Sequence, residues 1–500
     1  MGSSNKARMD GRLALAIGLT SAVLAACGGG SKSLEPGGSE VARSEGGQAI
    51  KLDSGQSINQ AAHNRWKEGI AAFKSAEKQG WTPDRCESVA GKFEDAAEAQ
   101  AKFAEALYMA GTVHARCGDK PKALSFFQKA LRQNSKFCKA RVAIGLDHME
   151  SGRESAARQE FDGAVRDDPQ CTEGYVNISI LQRKRGETKE ALNNLRRALA
   201  IDAQYLPAFN EMALLYLQEA KDNKKMLDLA EVVCSQAQKI DAKFAAIYNT
   251  WGLIDLRRGE IINAASKFEK AFGLNPKMFE AYMNFAQITI GFRGYEDARN
   301  AFSKALELQP KSFDATVGLG VAYRGLEQND KAEEFYNKAK QMNANRPEPY
   351  YNLGILYQDF KDGTADQAKK ARAFYEQFLA RAGGDERYKI AAEEIKRRCK
   401  TVKGQRRTGD KCISGRFQNI EDYLQAMKDM EEMERLQKEG EKQAAELEAQ
   451  EKAAAAAAAA EAPPAEKPAE AAPAAPEGAP AAPAEGAPKP AGGAPKGKKK

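Results

Sequence analysis

The segments that decide the fold read ARQEFDGAVRDDP at residues 157–169, AASKFEKAFGLNP at 264–276 and ARNAFSKALELQP at 298–310. Each begins with an alanine, has a phenylalanine four residues later and an alanine three residues after that, and ends with a proline. The same spacing, with Phe, Leu or Tyr at the bulky position, recurs from Ala123, Ala191 and Ala332. Within 123–191 and within 264–332, successive copies begin 34 residues apart. A period of this length predicts a stack of tandem repeats.

A second pattern precedes the first one in each repeat. A bulky residue is followed by Gly four positions later and by a larger side chain after three more, as at Tyr350, Gly354 and Tyr357. Offsets of three, four and seven place residues on one face of a helix, so each repeat is predicted to be two helices that cross closely at Ala and Gly. The eight predicted repeats begin at Ala104, Cys138, Thr172, Leu206, Ala245, Phe279, Phe313 and Pro347.

This period and this residue pattern resemble the tetratricopeptide repeat family over more than half of the chain. The resemblance implies an all-α fold, a right-handed superhelical solenoid of helix-turn-helix repeats. The eight repeats fill residues 104–385, and a degenerate helical repeat is expected before them at 57–103. A capping helix and a basic loop are expected at 386–416. Repeats 4 and 8 are longer, and their extra polar residues are predicted to lie in the turn between the two helices.

The N-terminus has the features of an export signal. Basic residues precede an apolar run, Leu13–Ala26, which is too short for a permanent membrane anchor but fits a signal peptide. The run ends in Leu-Ala-Ala before Cys27, which resembles the lipobox of bacterial lipoproteins and predicts a signal peptide at 1–27 with lipid on Cys27. The alternative is an ordinary signal peptide cut near Ala26. Gly28 in place of Asp implies outer-membrane retention, facing the periplasm, with residues 28–56 as a flexible linker.

The C-terminal region lacks the repeat pattern. Residues 417–460 are rich in Glu, Lys, Gln, Met and Ala and predict a charged helix, with a coiled-coil contact limited to its start. Residues 461–500 have the Pro, Ala and Lys composition of a disordered tail. Between Lys396 and Arg416 the chain is strongly basic, which predicts a solvated segment or one that contacts an anionic surface. An exported protein rarely meets nucleic acid, so none is expected as a partner.

Seven cysteines remain besides Cys27, an odd number that leaves at least one unpaired in a monomer. Their places in the repeats suggest three disulfides, Cys399 with Cys412, Cys138 with Cys171, and Cys86 with Cys117. Cys234 occupies a buried position of repeat 4 and is the expected free thiol. The alternative is that several of these cysteines are small core residues.

The sequence contains no motif that predicts catalysis. There are only three histidines, and two of them, His114 and His148, occupy the same repeat position, too far apart for one metal ion without further ligands. No Gly-x-Ser-x-Gly motif, phosphate-binding glycine loop or zinc spacing of cysteines is present. We therefore expect no enzymatic activity, no metal and no cofactor.

The resemblance implies a binding groove formed by the fifth and ninth residues of each first helix. Fifth residues are Val142, Val176, Asn210, Asn249, Met283, Val317 and Tyr351, and ninth residues are Leu146, Ile180, Leu214, Leu253, Gln287, Val321 and Ile355. Neighbouring amides interrupt this apolar column at Asn210 and Asn249. The alternative is that the column packs between repeats.

These features together predict a non-enzymatic envelope lipoprotein that uses its repeats as a scaffold. Its partners would be other envelope proteins held in the groove, and its lipid anchor would bind the membrane. The layout of lipobox, long repeat array and Ala-Pro-Lys tail resembles the repeat lipoproteins of the myxobacterial adventurous gliding machinery. Two alternatives are a pilotin-like assembly factor for a secretin or pilus complex and a recruiter of peptidoglycan enzymes.

Overall fold

A computed structural model describes residues 50–51, 57–221, 223–361, 363–397, 401–402, 405–406 and 416–461. Its helices are α1 Gln60–Gln79, α2 Pro83–Glu98, α3 Ala104–Arg116, α4 Lys120–Gln133, α5 Cys138–Glu150, α6 Glu154–Asp167, α7 Thr172–Lys184, α8 Thr188–Ile201, α9 Leu206–Glu219, α10 Met226–Ile240, α11 Ala245–Arg258, α12 Ile261–Leu274, α13 Phe279–Gly291, α14 Tyr295–Leu308, α15 Phe313–Gly325, α16 Asn329–Met342, α17 Glu348–Asp359, α18 Ala365–Ala382, α19 Lys389–Lys396 and α20 Arg416–Glu461.

Two short antiparallel ladders accompany the helices. β1 Ile50–Lys51 pairs with β2 Ser57–Ile58, so the predicted linker contains a strand at its end. β3 Thr401–Val402 pairs with β4 Gln405–Arg406 within the basic segment. The predicted signal peptide with Cys27, the pair Cys399 and Cys412, and the tail from residue 462 lie outside the described residues.

The helices follow one another as hairpins, in the order that the sequence period predicts. The first helices of repeats 1 to 7 begin at the predicted residues, and that of repeat 8 begins at Glu348, one residue after Pro347. A proline suits the entry of a helix because the first turn has no internal partner for its N–H groups. The all-α solenoid of tetratricopeptide repeats is therefore confirmed.

Glycine allows the two helices of a repeat to touch. A Cβ atom on Gly145 would lie 2.4 Å from Cε1 of Phe161, and one on Gly252 would lie 2.6 Å from Cε1 of Phe268. The same contact joins Gly69 of α1 to an aromatic ring of α2. The degenerate repeat at the N-terminus thus keeps the helix crossing of the regular ones, although its sequence departs from the pattern.

The turns within repeats 4 and 8 contain the extra residues, after α9 and after α17. The turn of repeat 8 ends in a capping box, in which the side chain of Thr364 accepts a hydrogen bond from the backbone N–H of Gln367 and the Gln367 side chain accepts one from the backbone of Thr364. This arrangement satisfies two N–H groups at the start of α18 and fixes where the helix begins. After the insertion α18 still packs against α17, where the ring of Tyr375 lies against Gly354.

A capping segment closes the C-terminal end of the solenoid. A 3₁₀ turn, Glu386–Tyr388, leads into α19, and the first turns of α20 pack against repeat 8. Ile395 and Ile420 are almost fully buried there. From Ala426 the chain forms a second compact unit, a helix whose side chains from Lys428 to Gln443 are exposed. Among the described residues, no helix is both long enough and apolar enough to cross a membrane.

Candidate functional site

The predicted groove residues divide into two groups in the structure. Val142, Val176, Ile180, Met283, Val317, Tyr351 and Ile355 are buried. Leu146, Asn210, Leu214, Asn249, Leu253, Gln287 and Val321 are half-buried and keep some exposed surface. The buried group packs between repeats, which is the alternative to ligand contact that the sequence left open. Of these repeats, only 4 and 5 keep both positions accessible, whereas repeats 2, 6 and 7 keep only the ninth.

The capping segment covers the groove at repeat 8. Tyr351 and Ile355 belong to the same core cluster as Ile395 of α19 and Ile420 of α20. The hydroxyl of Tyr351 donates a hydrogen bond to Oε2 of Glu394, 3.2 Å away, and burial raises the pKa of Tyr351. The sequence analysis predicted that Tyr351 and Ile355 line the groove. Their repeat positions do not reveal that the capping segment folds onto repeat 8.

One buried arginine holds the capping segment in place. Arg416, which is 5% exposed, lies between Asp359 Oδ2 at 2.7 Å and Glu394 Oε1 at 3.0 Å. It also donates a hydrogen bond to Oε1 of Gln358. A guanidinium removed from water needs such acceptors on several sides, so the contact fixes the start of α20 against repeat 8.

The two amides at the centre of the groove are each bonded to the next repeat through their oxygen atoms. Thr250 Oγ1 donates to Asn210 Oδ1 at 2.7 Å, and Asn284 Nδ2 donates to Asn249 Oδ1 at 2.9 Å. Thr250 and Asn284 are the sixth residues of their repeats, and both are buried. The amide oxygens therefore belong to the contacts between repeats, while the Nδ2 groups of Asn210 and Asn249 remain as donors at the groove surface.

Two leucines accompany these amides four residues further along the same helices. Leu253 packs partly against two core clusters, whereas Leu214 belongs to none of the clusters formed by the described residues. Its neighbour Leu215 is fully buried. Leu214 therefore offers apolar surface beside the two amides that none of these core clusters uses.

Basic side chains border the centre of the groove on one side. Lys184 and Arg257 are the thirteenth residues of repeats 3 and 5, and both are exposed. Neither forms an ion pair with another residue of the described ranges. Because equivalent positions of a repeat lie along one edge, these two side chains add positive charge to that edge at repeats 3 and 5.

A buried ion pair links repeats 3 and 4, and the sequence analysis did not anticipate it. Arg183 and Glu211 are each 3% exposed, and Nε of Arg183 donates to Oε1 of Glu211. Arg324 and Asn352, at the same two repeat positions, are hydrogen-bonded at 3.1 Å. The spacing of 28 residues from the arginine to its acceptor, present twice, is the signal that could have revealed both contacts.

The structure forms two disulfides between successive repeats. Cys86 is bonded to Cys117, and Cys138 is bonded to Cys171, while Cys234 is a buried free cysteine. Burial raises the pKa of the Cys234 thiol, which keeps it protonated and unreactive. Glu173 lies beside the second disulfide, but sulfurs joined to each other cannot bind a metal ion as thiolates.

Comparisons with known proteins agree with this architecture. The tetratricopeptide repeat family model matches residues 90–136 and 290–347. The chain therefore carries tetratricopeptide repeats, the class of repeat that builds protein-binding scaffolds, typically without enzymatic activity. No curated protein matches the chain at a significant level.

Several solved structures are similar to the solenoid. A thermophilic tetratricopeptide repeat protein of Thermus thermophilus has 24% identity and a TM-score of 0.35, covering 37% of this chain and 99% of its own. For pilF of Pseudomonas aeruginosa the identity is 18% and the TM-score 0.37, covering 45% of this chain and 97% of the other. Yeast Tom70 has 17% identity and a TM-score of 0.44, covering 74% and 72%. At these identities and TM-scores, none of the three indicates what this chain binds.

Proposed function

We propose that the protein is a lipid-anchored scaffold of a bacterial cell envelope that holds another envelope protein in the groove of repeats 4 and 5. The observation that carries this proposal is the accessible centre of the groove, where Asn210, Leu214, Asn249 and Leu253 keep exposed surface. The buried members of the same column show that exposure here is not a general property of the first helices. The leader with Cys27 supports outer-membrane anchoring on the periplasmic side.

Within this function, a cell-envelope motility machine is the assembly we favour. The layout of lipobox, repeat array and Ala-Pro-Lys tail resembles the gliding-motility lipoprotein GltE of myxobacteria. A pilotin-like role in assembling a secretin or pilus complex is the second candidate, because a lipid anchor joined to a groove would carry a subunit to the outer membrane. Recruitment of peptidoglycan enzymes is the third.

Affinity capture from intact envelopes tests the groove and the assembly together. The variant is Leu214→Ser in the full chain, and the control is Leu229→Ser, because Leu229 is an exposed leucine of the second helix α10. We expect Leu214→Ser to lower partner capture at least tenfold, while Leu229→Ser leaves it unchanged and both variants keep the helical content. Alanine at Asn210 or Asn249 is less suitable, because Thr250 or Asn284 would lose its acceptor.

The identity of the captured proteins separates the three assemblies. Motility proteins support the favoured one, secretin or pilus subunits support the pilotin role, and wall hydrolases support recruitment. Capture that Leu214→Ser does not reduce would overturn the groove as the binding site.

A further inference from the structure

We propose that the groove of repeats 4 and 5 binds an extended, proline-rich segment of its partner, with acidic residues that face Lys184 and Arg257. This inference rests on the proposed function and adds the chemical class of the bound segment. It is carried by three properties of the described residues, namely the hydrogen-bonding character of the two amides, their equivalent positions on neighbouring helices and the charge of the neighbouring edge.

The groove floor offers more hydrogen-bond donors than acceptors. Each asparagine oxygen has two lone pairs, one of which already accepts from Thr250 or Asn284, whereas each Nδ2 group has two N–H donors. The remaining Nδ2 groups can bond only to acceptors. Proline contributes a backbone carbonyl and no N–H, so a proline-rich main chain presents acceptors with few donors that would be left unpaired against this floor.

A helical partner segment does not match these donors. Inside a helix each backbone carbonyl already accepts an N–H from the same segment, so Asn210 and Asn249 would find acceptors only on side chains. An extended segment leaves its carbonyls free. The two amides therefore favour an extended main chain over an amphipathic helix.

The repeat spacing fits the polyproline II conformation. Neighbouring packed helices lie about 8–10 Å apart, and Asn210 and Asn249 are equivalent residues of the neighbouring helices α9 and α11. Three residues of polyproline II advance about 9 Å and return to the same face of the peptide. A segment with one small apolar or proline residue in every three would thus place equivalent residues over Leu214 and Leu253.

Charge complementarity selects the flanking residues of the segment. Lys184 and Arg257 are exposed and form no ion pair with other described residues. In polyproline II the three faces of the peptide are distinct, so one face can lie on the floor while another is directed toward this edge. Carboxylates on that second face would pair with the lysine and the arginine.

Binding of labelled peptides to the full chain, measured by fluorescence anisotropy, tests the inference. The probe consists of five Ala-Pro-Glu triplets. One comparison peptide replaces Pro by Ala, which restores N–H groups and favours helix, and a second replaces Glu by Lys. We expect each comparison peptide to bind at least fivefold more weakly than the probe.

Matched variants of the protein test whether the Nδ2 donors of Asn210 and Asn249 contribute to binding of the probe. Asn210→Asp with Asn249→Asp keeps an oxygen for Thr250 and Asn284 but removes both Nδ2 donors, so the probe should bind at least tenfold more weakly. Asn193→Asp, at an exposed position of α8, controls for added negative charge. Lys184→Gln with Arg257→Gln should remove the preference for Glu over Lys and leave the preference for Pro.

The outcomes distinguish this inference from the function on which it rests. Equal binding of the Pro and Ala peptides, or stronger binding of the Ala peptide, would overturn the extended proline-rich class in favour of a helical partner. If Leu214→Ser still abolishes capture from envelopes in that case, the groove remains the binding site and only the ligand class is wrong. If neither capture nor probe binding responds to groove variants, both proposals fail.

Discussion

At the residue scale, the close crossing of the two helices of a repeat depends on a glycine, which has no Cβ atom. Gly145 lies so close to the ring of Phe161 that a Cβ atom would overlap it. The ring is fully buried, so it cannot move aside into solvent. Gly91 has no neighbour at its Cβ position, so the contact can be tested with a matched pair of substitutions.

We expect Gly145→Ala to destabilise the protein by about 1–3 kcal/mol, because the added methyl group must displace Phe161 or separate the two helices. Gly91→Ala is the control, since Gly91 lies inside α2 and nothing lies within 4 Å of its Cβ position. That change should stabilise by about 0.5–1 kcal/mol through helix propensity. Urea denaturation of both variants measures the difference, and equal effects of the two alanines would contradict the crossing as described.

A buried carboxyl group makes stability depend on pH. Asp255 is 3% exposed, and burial raises its pKa to about 6. An unfolded aspartate has a pKa near 3.9, so between about pH 4 and pH 6 the folded protein binds more protons than the unfolded chain. The contribution of this group to stability is therefore present below pH 4 and is lost as the pH rises to 6.

Asp255→Asn should remove this dependence. We expect the variant to gain roughly 2 to 3 kcal/mol relative to the original protein between pH 4 and pH 7. The measurement is the urea midpoint at both pH values, with Glu269→Gln, at an exposed residue of the neighbouring helix α12, as the charge control. A variant whose stability follows the same pH profile as the original protein would show that Asp255 is charged in the fold at low cost.

At the scale of elements, the two disulfides join helices of successive repeats at the N-terminal side of the solenoid. Cys86 and Cys117 link α2 to the end of α3, and Cys138 and Cys171 link α5 to the residue before α7. In a solenoid each repeat contacts mainly its neighbours, so stabilisation by these bonds stays local. The helices of repeats 5 to 7 contain no cysteine.

Reduction should therefore loosen the N-terminal repeats selectively. Each disulfide closes a loop of about 32 residues, for which the chain-entropy model gives roughly 3–4 kcal/mol. Hydrogen exchange with and without a reductant should show faster exchange in α2 to α7 and no change in α13 to α16, which serve as the internal control. Uniform acceleration along the whole solenoid would mean that the repeats unfold as one cooperative unit.

At the scale of the whole molecule, the proposed anchoring residue, Cys27, lies near the N-terminus, whereas the charged helix lies near the C-terminus. The apolar run before Cys27 is too short to span a bilayer permanently. Lipid on Cys27 is the form of anchoring that we propose, and it can be tested directly.

We expect Cys27→Ser to abolish fatty-acid labelling and to move the protein from the membrane to the soluble periplasmic fraction. Metabolic labelling with fractionation measures both properties. Cys234→Ala is the control, because it removes a buried cysteine that cannot be reached for lipidation. Labelling that persists in Cys27→Ser would refute the lipobox.

The sequence by itself determined the repeat architecture of this protein. The spacing of alanine, glycine and aromatic residues fixed the helix pairs, and the helices that begin at Ala104, Cys138 and Thr172 do so where the period places them. The prediction succeeds because each repeat makes the same local contacts. The pattern therefore occurs many times along the chain, and a deviation in one repeat does not change the assignment of the others. The extra turn residues of repeats 4 and 8 are predicted in the same way, because these two repeats are longer than the 34-residue period.

Only the tertiary structure decided which groove positions are open. Asn210 binds Thr250, 40 residues later in the chain, and Tyr351 binds Glu394, 43 residues later. Arg183 is buried with Glu211 because two repeats bring them together. The exposure of a side chain in a solenoid is set by the repeat beside it and by any segment folded over its end, and the repeat position of a residue does not by itself show which side chains those neighbours bring.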